Sequence, residues 1–246
     1  MSDLLPTDVK RLRSLVVAVV VAMTLPFVAA LPSAPLSAQT SAPPGTGETF
    51  KDTSMLKPPA GEKIAIIEFQ DLECPACAHA FPIVHAAAAH YGIPLLERDF
   101  PLRQHIWSSD AAIWARYLQD KVSPKVADEY RGAIFAAQIG IESKDEMMGF
   151  TRRFFIAHGL QMPFVADPTG ELAKEVDAER ALGEKLGLEY TPCIIVCTQH
   201  EWVHVTDVSL LYQTIDELEA KVASEPNPTK APAKASTKRA ATKAAN

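Results

Sequence analysis

The sequence predicts an α/β fold: a β-α-β unit, then an inserted tract of about four helices, then β-β-α. Three observations predict it. Two strand-like runs between residues 61 and 102 flank one helical pattern. Residues 103–187 carry helical periodicity and cap signals without strand runs. Strand character returns only after residue 187 and is followed by one amphipathic helix. No internal repeat is visible.

Each element has its own justification. KIAIIEFQ (Lys63–Gln70) has strand length and β-branched content between Gly61 and Asp71. ACAHAFPIVHAAAAHYG (Ala76–Gly92) reads as a helix that stops at Gly92 and kinks at Pro82. PLLERDFPL (Pro94–Leu102) reads as a second strand, and so compact a β-α-β unit implies parallel strands. Ser108–Lys121 opens with a serine cap; Ser123–Gly140 has Ser123 as cap and Pro124 at the first helical position. Ser143–Gly159 has a cap, early acids and a closing glycine, and Asp167–Gly187 is charged on one face. PCIIVC (Pro192–Cys197) and EWVHVTD (Glu201–Asp207) read as strands, and Ser209–Ala223 as the final helix.

Composition sets the organisation around that body. Lys10, Arg11 and Arg13 precede the uncharged apolar run Ser14–Leu31, and LSAQ (Leu36–Gln39) offers small residues for cleavage. Residues 1–38 therefore read as a signal peptide or an N-terminal anchor, which puts the body in an extracytoplasmic, periplasm-like compartment where disulfides persist. Residues 39–60, rich in Pro, Thr, Ser and Gly, read as a flexible linker. The expected units are 61–102 and 188–224 as two halves of one fold, with 103–187 as the helical insertion between them. Residues 225–246 lack aromatic and large aliphatic side chains and read as a disordered tail.

Charge narrows the partners. The net charge of −6 over 246 residues hides five basic and no acidic residues from Pro226 onward (Lys230, Lys234, Lys238, Arg239, Lys243). With +1 on residues 1–38, the body 39–225 carries −12. An acidic body repels a phosphate backbone, so no nucleic-acid partner is expected. The basic tail suits contact with an anionic envelope surface, against the plainer reading of a solvated tail.

The chemistry centres on ECPAC, where Cys74 and Cys77 fall between the first strand and the first helix. Attachment of c-type haem needs a histidine directly after the second cysteine, and Ala78 stands there. A structural zinc site needs four ligands, but Cys193 and Cys197 are spaced about 13 Å apart along a strand. No metal or cofactor is expected. A static Cys74–Cys77 bond is open, although so small a ring constrains the unfolded chain little. Redox chemistry fits best. A cysteine at a helix mouth faces unpaired N–H groups and the positive dipole end, which favour the thiolate. Cys74 is then the attacking, solvent-facing sulfur and Cys77, one turn in, the resolving one. Pro75 and Ala76 tune the helix mouth between them, Pro75 supplying a helical φ without a surplus donor.

This stretch resembles the thioredoxin-fold thiol–disulfide oxidoreductases, specifically the DsbA-like branch. ECPAC follows a strand and opens a helix; Pro82 matches the helix-kinking proline; Glu68, six residues before Cys74, matches the buried acid of that branch. RDFPL (Arg98–Leu102) looks like its second-strand exit, the helical insertion is its hallmark, and YTPC (Tyr190–Cys193) resembles its Thr–cis-Pro loop. The resemblance covers roughly residues 61–224 and implies a thioredoxin fold. It implies Glu68 as acceptor of the Cys77 proton, against a solvated edge glutamate. It implies Thr191 and Pro192 as the substrate-binding backbone beside the sulfurs. It implies reduced or misoxidised client proteins as partners, and a membrane redox partner that reoxidises the pair.

Two features depart from that pattern. The dipeptide between the cysteines is Pro-Ala where strongly oxidising members have Pro-His, and His79 beyond Cys77 reads as a helix-surface residue. Cys193 follows the proline directly, as a buried apolar thiol or a third redox cysteine, with Cys197 as plain core strand. Trp107, Trp114 and Trp202 read as packing or surface residues. The leading expectation is a dithiol oxidase. The same exchange run in reverse would make a reductase, and a non-catalytic peptide-binding adaptor is the competitor from another class.

Overall fold

A computed structural model describes residues 40–42 and 54–224. The N-terminal signal or anchor (1–38) and the basic tail (225–246) lie outside the described residues. Five strands form one mixed sheet: β1 (Thr40–Ala42), β2 (Ile64–Gln70), β3 (Leu95–Asp99), β4 (Cys193–Thr198) and β5 (Trp202–Val205), in the order β1-β5-β4-β2-β3. Among the described residues, six α-helices accompany them: α1 (Pro75–Tyr91), α2 (Ser108–Lys121), α3 (Pro124–Ala137), α4 (Lys144–Ala157), α5 (Glu171–Leu186) and α6 (Leu211–Ser224). The β-α-β, helical insertion, β-β-α order expected from the sequence is the order observed.

β2 is buried at every position because it is central and covered on both faces. It runs parallel to β3 and antiparallel to β4, with Phe69 opposite Cys193 and Glu68 opposite both Glu97 and Ile194. Its even-numbered residues Ile64 and Ile66 pack with Ala80, Val84 and Ala87 of α1 and with Leu211, Ile215 and Leu218 of α6. Its odd-numbered Ala65, Ile67 and Phe69 face Phe100, Leu186 and Leu188 on the other side. Leu56, only 1% exposed, joins this second layer. The segment read as a flexible linker is thus corrected in part. Thr40–Ala42 pairs antiparallel with β5, and Leu56 is apolar enough to be drawn into the core despite its Pro- and Thr-rich neighbours.

The insertion has its own core, built from Trp107, Trp114, Leu118, Tyr130, Ile134, Met147, Phe154 and Phe155. Cys74, Cys77 and Leu72 belong to this cluster, so the cysteine pair sits where insertion and sheet meet. All three tryptophans are buried, as packing residues. Ser123 and Ser143 cap α3 and α4 by accepting from Val126 N–H and Glu146 N–H, both at 3.2 Å. The serine cap expected for α2 is not formed. Trp107 is the N-cap, and Glu73 Oε2 accepts from Trp107 N–H (2.7 Å) and Ser108 N–H (3.0 Å), which frees the Ser108 hydroxyl for Asp71. Helix α5 approaches the sheet closely: a Cβ at Gly183 would lie 2.5 Å from the Phe100 ring.

A buried ionic network bolts β3 to the insertion. Asp99, 1% exposed, accepts from Arg131 Nη1 (2.7 Å) and Arg116 Nε (2.6 Å). Glu179 on α5 binds Arg98 Nη1 at 2.8 Å, the Asp99 N–H at 2.7 Å, and Arg116. Burial alone would push the Asp99 carboxyl up; Arg131 and Arg116 outweigh it and hold it below the ordinary range. Removing one cation leaves an uncompensated buried charge. Arg131→Ala is expected to destabilise the protein by about 3–5 kcal/mol, measured by urea unfolding at neutral pH.

Candidate active site

The site is assembled at one end of the sheet. β2 ends at Gln70 and the chain turns through Asp71, Leu72 and Glu73 into the N-terminus of α1. Cys74 is the N-cap residue, in extended backbone (φ −86°, ψ 119°), and Pro75 occupies the first helical position. The Cys74 carbonyl already accepts from Ala78 N–H at 3.1 Å, while no conventional side chain caps the first amides. The sulfur makes no cap hydrogen bond itself, but the N–H groups of Ala76 and Cys77 nearby favour its thiolate. Because β4 pairs with β2 in the Phe69–Cys193 register, the residues just before β4 come out beside this turn. The Thr191–Pro192 peptide is cis, and the Cys74 thiol donates to the Thr191 carbonyl at 3.4 Å. Cys77 lies one helical turn inward, 0% exposed, and its Sγ accepts from Asp71 N–H at 3.4 Å.

The two thiols are electrostatically unlike. The Cys74 thiol is drawn down to about 5, first by the neighbouring Cys77 thiol, then, against the opposing effect of burial, by Thr191 and the N–H groups of Cys77 and Ala76. The helix mouth therefore contributes, as the sequence suggests, but the second thiol contributes more. Burial pushes the Cys77 thiol far up, and the adjacent Cys74 pushes it further. At neutral pH the pair holds a thiolate outside and a thiol inside. One expectation is corrected: Cys74 does not face solvent openly. It is the more accessible of the two but only 7% exposed, because it lies against Thr191 and in the cluster with Leu72 and Trp107. Pro75 and Ala76 are the exposed residues above the sulfurs, and His79 is also exposed on the helix surface.

Glu68 is not an edge residue. It is 0% exposed, on the α1 face of β2, and neither carboxyl oxygen has a hydrogen-bond partner. Burial lifts it to about 8; Glu97 alongside adds to this and Arg131 opposes it. Glu97 goes the other way: against its own burial, His85, Arg131 and Gln70 hold it below the ordinary range. Of two side-by-side carboxyls, one keeps the charge and the other keeps the proton. No hydrogen bond joins Glu68 to either sulfur of the pair; its electrostatic neighbours also include Cys193. Cys193 and Cys197 are both 0% exposed, and burial pushes each up to about 12, so neither is a ready nucleophile. Cys193 Sγ is 3.6 Å from His204 Nε2.

Sequence reasoning did not single out Asp71, Glu73 or His105, and took Ser108 only as a helix cap, yet these four hold the turn in place. The available signal was the pair of acids in DLEC, immediately ahead of a helix that needs neither as its own cap.

A family model described as thioredoxin matches residues 61–217. The chain belongs to the thioredoxin family. Solved structures agree on the fold. The thiol-disulfide exchange protein α-DsbA2 from Wolbachia pipientis superposes with a TM-score of 0.52 at 18% identity, over 66% of this chain and 85% of that one. DsbA2 from Pseudomonas aeruginosa gives 0.51 at 18% identity, over 66% and 92%. ScsC from Proteus mirabilis gives 0.51 at 15% identity, over 74% and 73%. The fold is thus a DsbA-like version of the thioredoxin family, with helices inserted between the family's two halves. No curated protein matches the chain.

Two titrations follow from the geometry. Thiolate absorbance near 240 nm in the reduced protein should show one transition with a midpoint near 5, and Cys77→Ser should move that midpoint upward. The unfolded Glu68 carboxyl ionises near 4.5, but the folded one keeps its proton to about 8. Its contribution to stability is fully present below 4.5 and is lost as pH rises through 8. Relative to Glu68→Gln, the wild type should lose about 2–4 kcal/mol across that window in urea unfolding at pH 4.5, 6 and 8.

Proposed function

We propose that this chain is an extracytoplasmic thiol–disulfide oxidoreductase acting on client proteins through Cys74 and Cys77, as a dithiol oxidase. The observation that carries the reading is the asymmetry of the pair: Cys74 held low at a helix N-cap against Thr191, Cys77 buried behind it. The family match and the DsbA and ScsC likenesses support the same chemistry.

In the oxidised enzyme, a client thiolate attacks Cys74 Sγ. The Cys74–Cys77 bond breaks, a client–Cys74 disulfide forms, and Cys77 leaves with the electron pair and takes up a proton, as its burial demands. The client's second thiolate then attacks the client sulfur of the mixed disulfide. Cys74 leaves as a thiolate, the form its surroundings favour. The client has lost two electrons and gained a disulfide; the enzyme holds the electrons as one thiolate and one thiol. In the reverse direction Cys77 must lose its proton to attack, and Glu68 is the acceptor in its ionised form, which grows as pH rises toward about 8. Thr191 and Pro192 line the approach, where an extended client segment adds to the backbone edge. Pro75 and Ala76, exposed over the pair, meet the client first.

The same electrostatics support the oxidising direction. A thiolate stabilised well below its ordinary pKa stabilises the reduced enzyme, and a stabilised reduced form makes an oxidant. Residues 1–38 export the protein, a membrane redox partner reoxidises it, and the basic tail adheres to anionic envelope surfaces. Among the described residues, no helix is long and apolar enough to cross a membrane.

Glutathione titration should give a reduction potential nearer about −120 mV than about −270 mV. Cys74→Ser should abolish both insulin reduction and oxidative refolding of a reduced client. A variant that kept both activities would favour a peptide-binding adaptor with idle cysteines.

A further inference from the structure

Asp71, directly after β2, touches both cysteines through its backbone. Its N–H donates to Cys77 Sγ at 3.4 Å, and its carbonyl accepts from Cys74 N–H at 3.0 Å. Its side chain is fully buried, yet no lysine or arginine pairs with it among the described residues. Instead four donors surround the carboxylate. Oδ1 accepts from Glu73 N–H (2.7 Å) and Ser108 Oγ (2.5 Å); Oδ2 accepts from Leu102 N–H (2.6 Å) and lies 2.7 Å from His105 Nδ1. Three of these four come from residues 102–108, the strap that leads from β3 into the insertion. Burying a carboxylate is costly unless its lone pairs are met, and here each oxygen has two partners at short range. Side-chain rotation and backbone tilt at Asp71 are therefore fixed together.

We infer that Asp71 is a positioning residue for thiol exchange: the strap 102–108 grips its carboxylate, which aims its own amide at Cys77 Sγ as negative charge arrives on that sulfur. The inference rests on the proposed exchange chemistry. A buried sulfur that must become an anion, briefly, needs a donor already in place, because reorganising one at that moment is slow and costly. Of the groups around Cys77, the Asp71 amide is the foremost one that favours the anion; burial and Cys74 both oppose it. Two of its partners, His105 and Ser108, sit in the insertion, so the insertion, and not α1 alone, sets the reactivity of the inner sulfur.

The step to measure is intramolecular. The full chain is converted to a glutathione adduct on Cys74, and release of glutathione by Cys77 attack is followed by rapid mixing, well below any unfolding transition. Asp71→Asn turns an amide donor toward the Leu102 and His105 donors and should slow release about tenfold while leaving the Cys74 thiolate midpoint in place. Ser108→Ala and His105→Gln each remove one contact and should slow it by less, in the same direction. Should Asp71→Asn fail to fold, these two variants decide alone. Release at the wild-type rate in the folded variants would overturn the inference, as would a Cys74 midpoint that moves with the rate, since that means collapse of the turn. If the wild type itself exchanges nothing with glutathione, the proposed function fails first, and visibly so.

Discussion

The antiparallel pairing of β2 with β4 is the constraint on which the rest depends. With Phe69 opposite Cys193, the strand that ends in the cysteine turn and the strand that begins after Thr191–Pro192 meet at one edge of the sheet. No other part of the chain needs to search for the sulfurs. The same register decides faces. A slip by one residue would move Glu68 out from beneath α1 and turn Ile67 and Phe69 into its place. Both faces of β2 are packed, so that slip would disrupt two apolar layers at once. Redox geometry and core packing are therefore specified by the same hydrogen-bond ladder.

The interior handles its acids in three ways. Asp99 stays ionised because two guanidinium groups meet it. Asp71 is met by four donors, only one of them on a titratable ring. Glu68 has no partner and answers burial by keeping its proton. The differences follow from what each strand end faces. β3 leads into α2 and α3, which carry Arg116 and Arg131; the turn after β2 meets backbone amides of the strap; Glu68 lies mid-strand, where apolar side chains dominate. An acid left without a partner in a core is a poor structural choice, which supports the proton-acceptor role proposed for it.

Most of the architecture was legible in the chain itself. Strand-length apolar runs, serine and proline start signals and glycine stops marked the elements from Ile64 to Ser224, because burial on both faces and cap chemistry leave local marks. ECPAC, Glu68 and the TP step before β4 pointed to the reactive corner. Long-range partners were less legible. Ser108 looked like a cap, yet Glu73, thirty-odd residues earlier in the chain, caps the helix, and nothing local in either segment announces that pairing. Nothing local in the sequence marks Arg116, Arg131 or Glu179 as network residues; only the packing of three helices against β3 brings them together. Leu56 was lost among prolines and threonines because composition averages over a window, whereas burial acts on single side chains.

Pro75 and Ala76 are exposed, although they stand between two cysteines that belong to the insertion's core cluster. That separates two kinds of change. Drift in the core must respect volume, pairing and register at once, whereas drift in this outward dipeptide alters only what surrounds the outer sulfur. For the exchange chemistry proposed above, the surroundings of the outer sulfur are thus adjustable by substitutions that leave the folded scaffold almost untouched, like a dial mounted on the outside of a sealed case.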